Sequence, residues 1–192
     1  MSFTAENETP LPRWSVADVH ESFNARSFTD AMERAGSNVA RLEALFETHN
    51  IRSINPRTPN AQDGAAADVV IQAFNKTVDE QDILISYIYA TVSTDSRQEQ
   101  AQGLLSEMED LDARISPLLA RLADWVASLD ANALKQVSDE AREHLGPLLR
   151  LQNRAIHQMS EAEEGLYAEL VATGSSAWDQ LHSVVTSQLT TE

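Results

Sequence analysis

The chain contains no cysteine among its 192 residues, which excludes disulfide scaffolds, thiolate zinc sites and thiol nucleophiles together. Glycine and proline are scarce at six each, and aromatic residues make up 6%. Too few turn-formers remain for a sandwich or barrel, so long helices are favoured. Basic residues are also short: 14 Lys and Arg stand against 30 Asp and Glu, a formal charge of −16. Such a surface repels phosphate backbones and anionic lipid heads, which disfavours nucleic acid and membranes as partners. The acidic residues are spread through the chain, and solubility accounts for them. No apolar run approaches the ~18 residues of a membrane span. The opening "MSFTAENETPLPRW" lacks the apolar segment of a secretory signal, so a cytoplasmic protein is the expectation.

What is present is apolar residue at helical spacing, within a content of 42% hydrophobic residues that can bury a sizeable core. Residues 1–13 are polar, carry Pro10 and Pro12, and read as an extended lead-in. Trp14 opens a short helical stretch, "WSVADVHESF". Ser27 then stands as a cap for a helix whose stripe is Phe28, Ala31, Ala35, Val39, Leu42 and Phe46. "IRSINPRTPNAQDGAAA" reads as a loop, and a second helix follows with Val70, Phe74, Val78, Ile85 and Ile88 or Tyr89 on one side. Its end, "ILISYIYATV", could pass for a strand, but the helical period established upstream carries through it.

The clearest signal is heptad-like. Leu104, Met108, Leu111, Ile115, Leu118, Leu122, Trp125 and Leu129 alternate spacings of four and three. Packed against the preceding helix, this run makes a long antiparallel hairpin of residues 65–92 and 96–129, with Leu122 and Trp125 buried. Pro117 within it removes one ladder bond and predicts a kink near Asp112–Ile115. Two shorter helices follow, with Pro147 at a kink or in a first turn. Ser160 and Glu163 then form a capping box before Leu166, Leu170 and Val171. Gly174 ends that helix, and Ser175 or Ser176 caps a last one bearing Trp178, Leu181, Val185 and Leu189. The fold class is all-α: a helical bundle built around a long antiparallel hairpin.

Local chemistry is sparse. His20, His49, His144, His157 and His182 include no pair four apart, so the H-E-x-x-H arrangement of zinc ligands is absent. His144 and His157, the nearest pair, fall on nearly opposite sides of a continuous helix. Glu161, Glu163 and Glu164 crowd a helix start, where the dipole favours carboxylates without catalysis. Gly174-Ser175-Ser176 lacks the glycines and lysine of a phosphate loop and reads as helix punctuation. Tyr87 and Tyr89 could line a ligand groove, although packing explains them more simply. The residues therefore nominate no catalytic, cofactor-binding or metal site.

Three stretches nevertheless resemble a known family. Met159-Ser160-Glu161-Ala162-Glu163-Glu164 followed by Thr173-Gly174-Ser175-Ser176-Ala177-Trp178 is similar to the junction segment of the oligoendopeptidase F branch of the thimet-oligopeptidase-like metallopeptidases. "LPRWSVADVHESFNARSFTDAMERA" resembles that family's opening, and Tyr89-Ala90-Thr91 with Asp95 resembles its tyrosine-alanine-threonine stretch. Ser15-Val16 and Val92-Ser93 depart from the family's usual residues. The resemblance implies that residues 14–192 form the helical N-terminal lobe of a zinc endopeptidase, walling the channel through which oligopeptide substrates enter. Zinc is then expected in a catalytic domain lying beyond this region, with no cofactor held by the chain itself and no peptidase activity in isolation. That domain is the expected partner, and the surface it would cover, on the last helix near Trp178 and Val185, leaves self-association open. The competing reading is a stand-alone acidic helical bundle that binds a partner or serves a structural role through its apolar stripe.

Overall fold

The structure is a computed structural model and describes residues 15–94, 97–155, 157 and 161–187. Its regular structure is all helix, with no strand among the described residues. Eight helices follow one another among the described residues: α1 (Arg26–Thr48), α2 (Ala61–Thr94), α3 (Glu99–Leu129), α4 (Ala131–Leu134), α5 (Asp139–Glu143), α6 (Leu145–Ala155), α7 (Glu161–Thr173) and α8 (Ser175–Ser187).

The first three make an up-down-up bundle. At one end Leu42 and Phe46 of α1 meet Ala67, Val70 and Ile71 of α2 and Leu118, Leu122, Trp125 and Val126 of α3. At the other, Phe28 and Ala35 meet Leu84, Tyr87, Ile88 and Met108. These pairings make α2 antiparallel to both neighbours, so the expected hairpin of α2 and α3 is formed, with Leu122 and Trp125 each 3% exposed. Between the two clusters α2 buries polar residues instead: Thr77, whose hydroxyl donates to the Ala73 carbonyl, and Gln81. Both fall on the seam of α2, whereas the expected stripe residues Phe74, Val78 and Ile85 are only half-buried. With α1, α3 and α5 all packed against parts of it, α2 buries a wider arc than one stripe describes.

Local chemistry explains most boundaries, and several differ from expectation. Ser15–Ala25 forms turns rather than a helix, and Trp14 lies outside the described residues. The first helix starts at Arg26 behind Ala25, so Ser27 is not its cap; the Ser27 hydroxyl instead pairs with His20 Nδ1 at 3.1 Å. α1 closes with the Asn50 N–H donating to the Glu47 carbonyl and the Ile51 N–H to the Phe46 carbonyl. Asn50 adopts φ 56°, the left-handed conformation that asparagine tolerates, and Ile51 is fully buried beyond it.

The loop reaches only to Asn60, shorter than expected, because "NAQD" carries a capping box. The Asn60 side chain accepts from the Gln62 and Asp63 N–H groups, and Asp63 accepts from the Asn60 N–H. Arg57 grips the same carboxylate with two bonds of 2.6 and 2.8 Å. Those contacts hold the Asp63 carboxyl below its ordinary pKa, with the Arg57 hydrogen bond the main cause. Gly64 then lies in the first turn of α2, directly under the Val137 carbonyl, where a methyl group would collide with backbone.

α3 continues as one helix through Pro117; the ring removes the N–H that would have served the Ala113 carbonyl. The region after α3 holds three short helices, not two. Asp130, at φ 62°, turns the chain and caps α4 through its side chain. Ser138 caps α5, its hydroxyl accepting from the Ala141 N–H and donating to Asp68 on α2 at 2.6 Å. Pro147 is the third residue of α6, where its missing N–H costs no ladder bond. α6 packs back across α3 and places Leu148 in the larger cluster.

α7 lies against α3, and α8 against α7. A single residue, Gly174, separates them: its N–H donates to the Leu170 carbonyl and its carbonyl accepts from the Trp178 N–H. Ser175 and Ser176 thus lie inside α8, and the cap position falls to Gly174. Ser160, the expected cap of α7, and Leu189 lie outside the described residues. No residue of α8 is buried.

Candidate functional site

The helices that leave the bundle create a concavity along α3. α3 supplies one wall, the end of α6 a second, and the α7–α8 pair the third, enclosing a groove of about 490 Å³. Its apolar lining is Leu105, Met108 and Leu119 of α3, Leu151 of α6, and Tyr167 and Val171 of α7. Ala113 and Pro117 line it as well, so the carbonyl released by the proline lies on the α3 face that borders the groove. Polar groups sit on the rim: Glu109, Asp110 and Asp112 along α3, Ser176 and Gln180 on α8, and Arg154 on α6. A second concavity of about 340 Å³ lies between α2, α3 and α6; Leu119, Leu151 and Arg154 border both.

The carboxylates of the rim differ from those on the opposite side of α3. There Arg114 holds Glu43 by two bonds of 3.0 and 2.7 Å, and Arg121 reaches Glu47 at 2.7 Å while its Nε donates to the Ile51 carbonyl. The Arg114 guanidinium keeps the Glu43 carboxyl below its usual pKa. The side chains of Glu109, Asp110 and Asp112 make no hydrogen bond or ion pair with any described residue, and neither does the guanidinium of Arg154. Three carboxylates against one guanidinium leave the groove net acidic.

The histidines are not brought together. His20 sits edge-on to Phe28 and Tyr87, with ring centroids 5.4 and 5.1 Å away. His49 ends α1. His144 packs between α5 and α2, one ring nitrogen 3.0 Å from the Asn75 amide and the other 3.1 Å from the Glu140 carbonyl. His182 is exposed on α8. Among the described residues no group of three His, Asp or Glu could hold a metal ion. Tyr87 and Tyr89 do not share a groove: Tyr87 is in the core, its hydroxyl donating to the His20 carbonyl at 3.0 Å, whereas Tyr89 is 60% exposed. Burial pushes the Tyr87 phenol pKa up. No helix among the described residues is long and apolar enough to cross a membrane.

A separate apolar surface covers the outer helices. Leu166 and Leu170 of α7 and Trp178, Leu181 and Val185 of α8 are all at least half exposed, Trp178 by 70%. Within α8 those three residues recur at the spacing of one helix face, and the helix carries a single carboxylate, Asp179. The α3 heptad and the Trp178 stripe were legible in the sequence. The groove was not, because Leu151 and Arg154 reach it only through the crossing of α6 over α3. Compared with protein-family models, with curated proteins and with solved structures, the chain finds no match in any of the three.

Proposed function

We propose that this chain is the helical N-terminal lobe of an oligoendopeptidase F-like zinc peptidase and that its α7–α8 face packs against the catalytic region. The observation that carries this reading is the coincidence of sequence and shape at one place. Thr173-Gly174-Ser175-Ser176-Ala177-Trp178, the stretch most similar to the family's junction segment, is the break between α7 and α8. From it projects the apolar stripe of Trp178, Leu181 and Val185, which no described residue covers. Soluble chains rarely leave so contiguous an apolar surface without a use for it. The helical character of the lobe supports the same reading.

In this account the lobe walls the substrate channel and restricts entry to oligopeptides, and the zinc chemistry belongs wholly to the catalytic region. Among the described residues no three His, Asp or Glu side chains lie together as a zinc site requires. Hydrolytic zinc needs about three protein ligands and an open position, and the described histidines each have separate surroundings. A quenched fluorescent oligopeptide and calorimetric zinc titration test the proposal. The isolated chain should give neither turnover nor stoichiometric high-affinity zinc binding, and a form extended through an H-E-x-x-H region should give both. Chelator-sensitive cleavage by the isolated chain would overturn it, as would a reading frame that closes after Glu192 with no such region to follow.

The second reading, a stand-alone partner-binding bundle, is favoured by the groove along α3 with its unpaired carboxylates.

A further inference from the structure

We infer that the groove between α3, α6 and the α7–α8 pair is a docking site for an amphipathic helix of another protein, one that carries basic residues beside its apolar face. This surface lies apart from the α8 stripe of Trp178, Leu181 and Val185, which does not line it. The inference therefore holds whether or not the peptidase reading does.

The first support is shape. From Leu105 to Ala120 the α3 wall runs 16 residues, a rise of about 22 Å or four helical turns. The lining offers Leu105, Leu119, Leu151 and Val171 to apolar side chains spaced along a visiting helix, the arrangement by which grooves take helices. The ring of Tyr167, 57% exposed, extends the wall outward.

The second support is charge. Glu109, Asp110 and Asp112 border the apolar floor without any partner among the described residues, while Glu43 and Glu47 on the other side of α3 are each claimed by an arginine. Lys or Arg flanking the apolar face of a visitor would meet these carboxylates beside an apolar floor that the visitor itself would dry on docking, where ion pairs are less screened than on open surface. Arg154 stands at the far end, beside Leu119 and Leu151, and would face the negative C-terminal end of a helix lying parallel to α3. The same charge argues against a second copy as occupant. At −16, the chain repels itself, and the groove adds carboxylates to that repulsion.

The test is titration of the full chain with a synthetic Leu/Lys peptide of about 15 residues, patterned for one apolar helical face. The controls are a scrambled peptide of the same composition and a Leu/Glu counterpart. Four variants locate the site: Ala113→Trp and Ala177→Trp fill the groove from opposite walls, Glu109→Lys with Asp112→Lys reverses its rim, and Glu33→Lys with Asp79→Lys makes the same charge change on α1 and α2. All these positions are exposed, and melting by circular dichroism confirms that each variant folds. The patterned peptide should bind, and the controls should not. Each groove variant should weaken binding by about tenfold or more, and the distant reversal by less than about threefold, as long-range screened charge allows. Equal weakening by both charge reversals would overturn the inference by reducing the effect to net charge. So would indifference to both tryptophans, tight binding of the scrambled peptide, or a dimer in sedimentation that Ala113→Trp dissolves.

Discussion

Two stripes in this molecule have the same pattern and opposite fates. On α3, Met108, Ile115, Leu118, Leu122, Trp125 and Leu129 are spaced by three, four or seven residues, and all are buried. On α8, Trp178, Leu181 and Val185 follow the same rule, and all are at least half exposed. Both helices were readable as amphipathic from periodicity alone. Periodicity reports that a helix has an apolar face; it does not report what covers that face. For α3 the cover is α1, α2 and α6, and for α8 no described residue supplies it.

The sharpest way to break this comparison is to truncate one residue in each stripe. Leu122→Ala should cost about 2–5 kcal/mol of unfolding free energy, since it removes a buried side chain and leaves a cavity. Leu181→Ala, at a site already 51% exposed, should stay within about 0.5 kcal/mol. Chemical denaturation of both variants decides it, and a comparable loss at Leu181 would mean that α8 is part of the folded core.

Glycine gives a second contrast, of intermediate size. Gly64→Ala would drive a methyl into the Val137 backbone, where α2 meets the turn before α5. It should destabilise by about 2 kcal/mol or more, because backbone must move to relieve the overlap. Gly36→Ala, in the interior of α1 with open space around it, should instead stabilise by about 0.5–1 kcal/mol. Thermal melting of the two variants should therefore shift in opposite directions.

The α2 cap gives the smallest of the three destabilisations, after Leu122 and Gly64, and a pH signature. Asp63→Asn keeps one acceptor for the cap but loses the charged grip of Arg57, at a cost of about 1–2 kcal/mol near neutral pH. The Asp63 pKa is lowered in the folded chain, and so is that of Glu43 beside Arg114. A carboxyl lowered by folding contributes stability that is fully present above its unfolded pKa, near ~4, and is lost as pH falls through the folded value. Stability of the parent chain should fall with acid below about pH 4, and Asp63→Asn should remove part of that fall. Denaturation midpoints across an acid series measure it; an unchanged slope would mean that the Arg57 contact contributes nothing to the folded state.

Much of the fold was legible because α1 and α3 each bury one unambiguous stripe, Phe28 to Phe46 and Met108 to Leu129. The boundaries were less so. Asn60 and Asp63 form a capping box inside a stretch whose prolines and Gly64 read as loop, and Ser27 had the chemistry of a cap without its position. α2 misled for a different reason: it packs on several sides, so its buried line runs through Thr77 and Gln81 rather than through Phe74 and Val78. The groove was invisible in principle, since Leu105, Leu151 and Tyr167 converge only through tertiary crossing of α3, α6 and α7.

The central claim, that the α8 stripe stands open for another surface, is tested most directly at Trp178. With Trp14→Phe as background, the emission difference on adding Trp178→Phe isolates one indole, leaving the buried Trp125 as the internal reference. The account predicts a red-shifted difference spectrum, readily quenched by acrylamide, and apolar-dye binding that falls when Leu181 and Val185 are replaced by lysine. A blue-shifted, quencher-protected Trp178 whose spectrum does not change on dilution would place α8 within the chain's own core and contradict it.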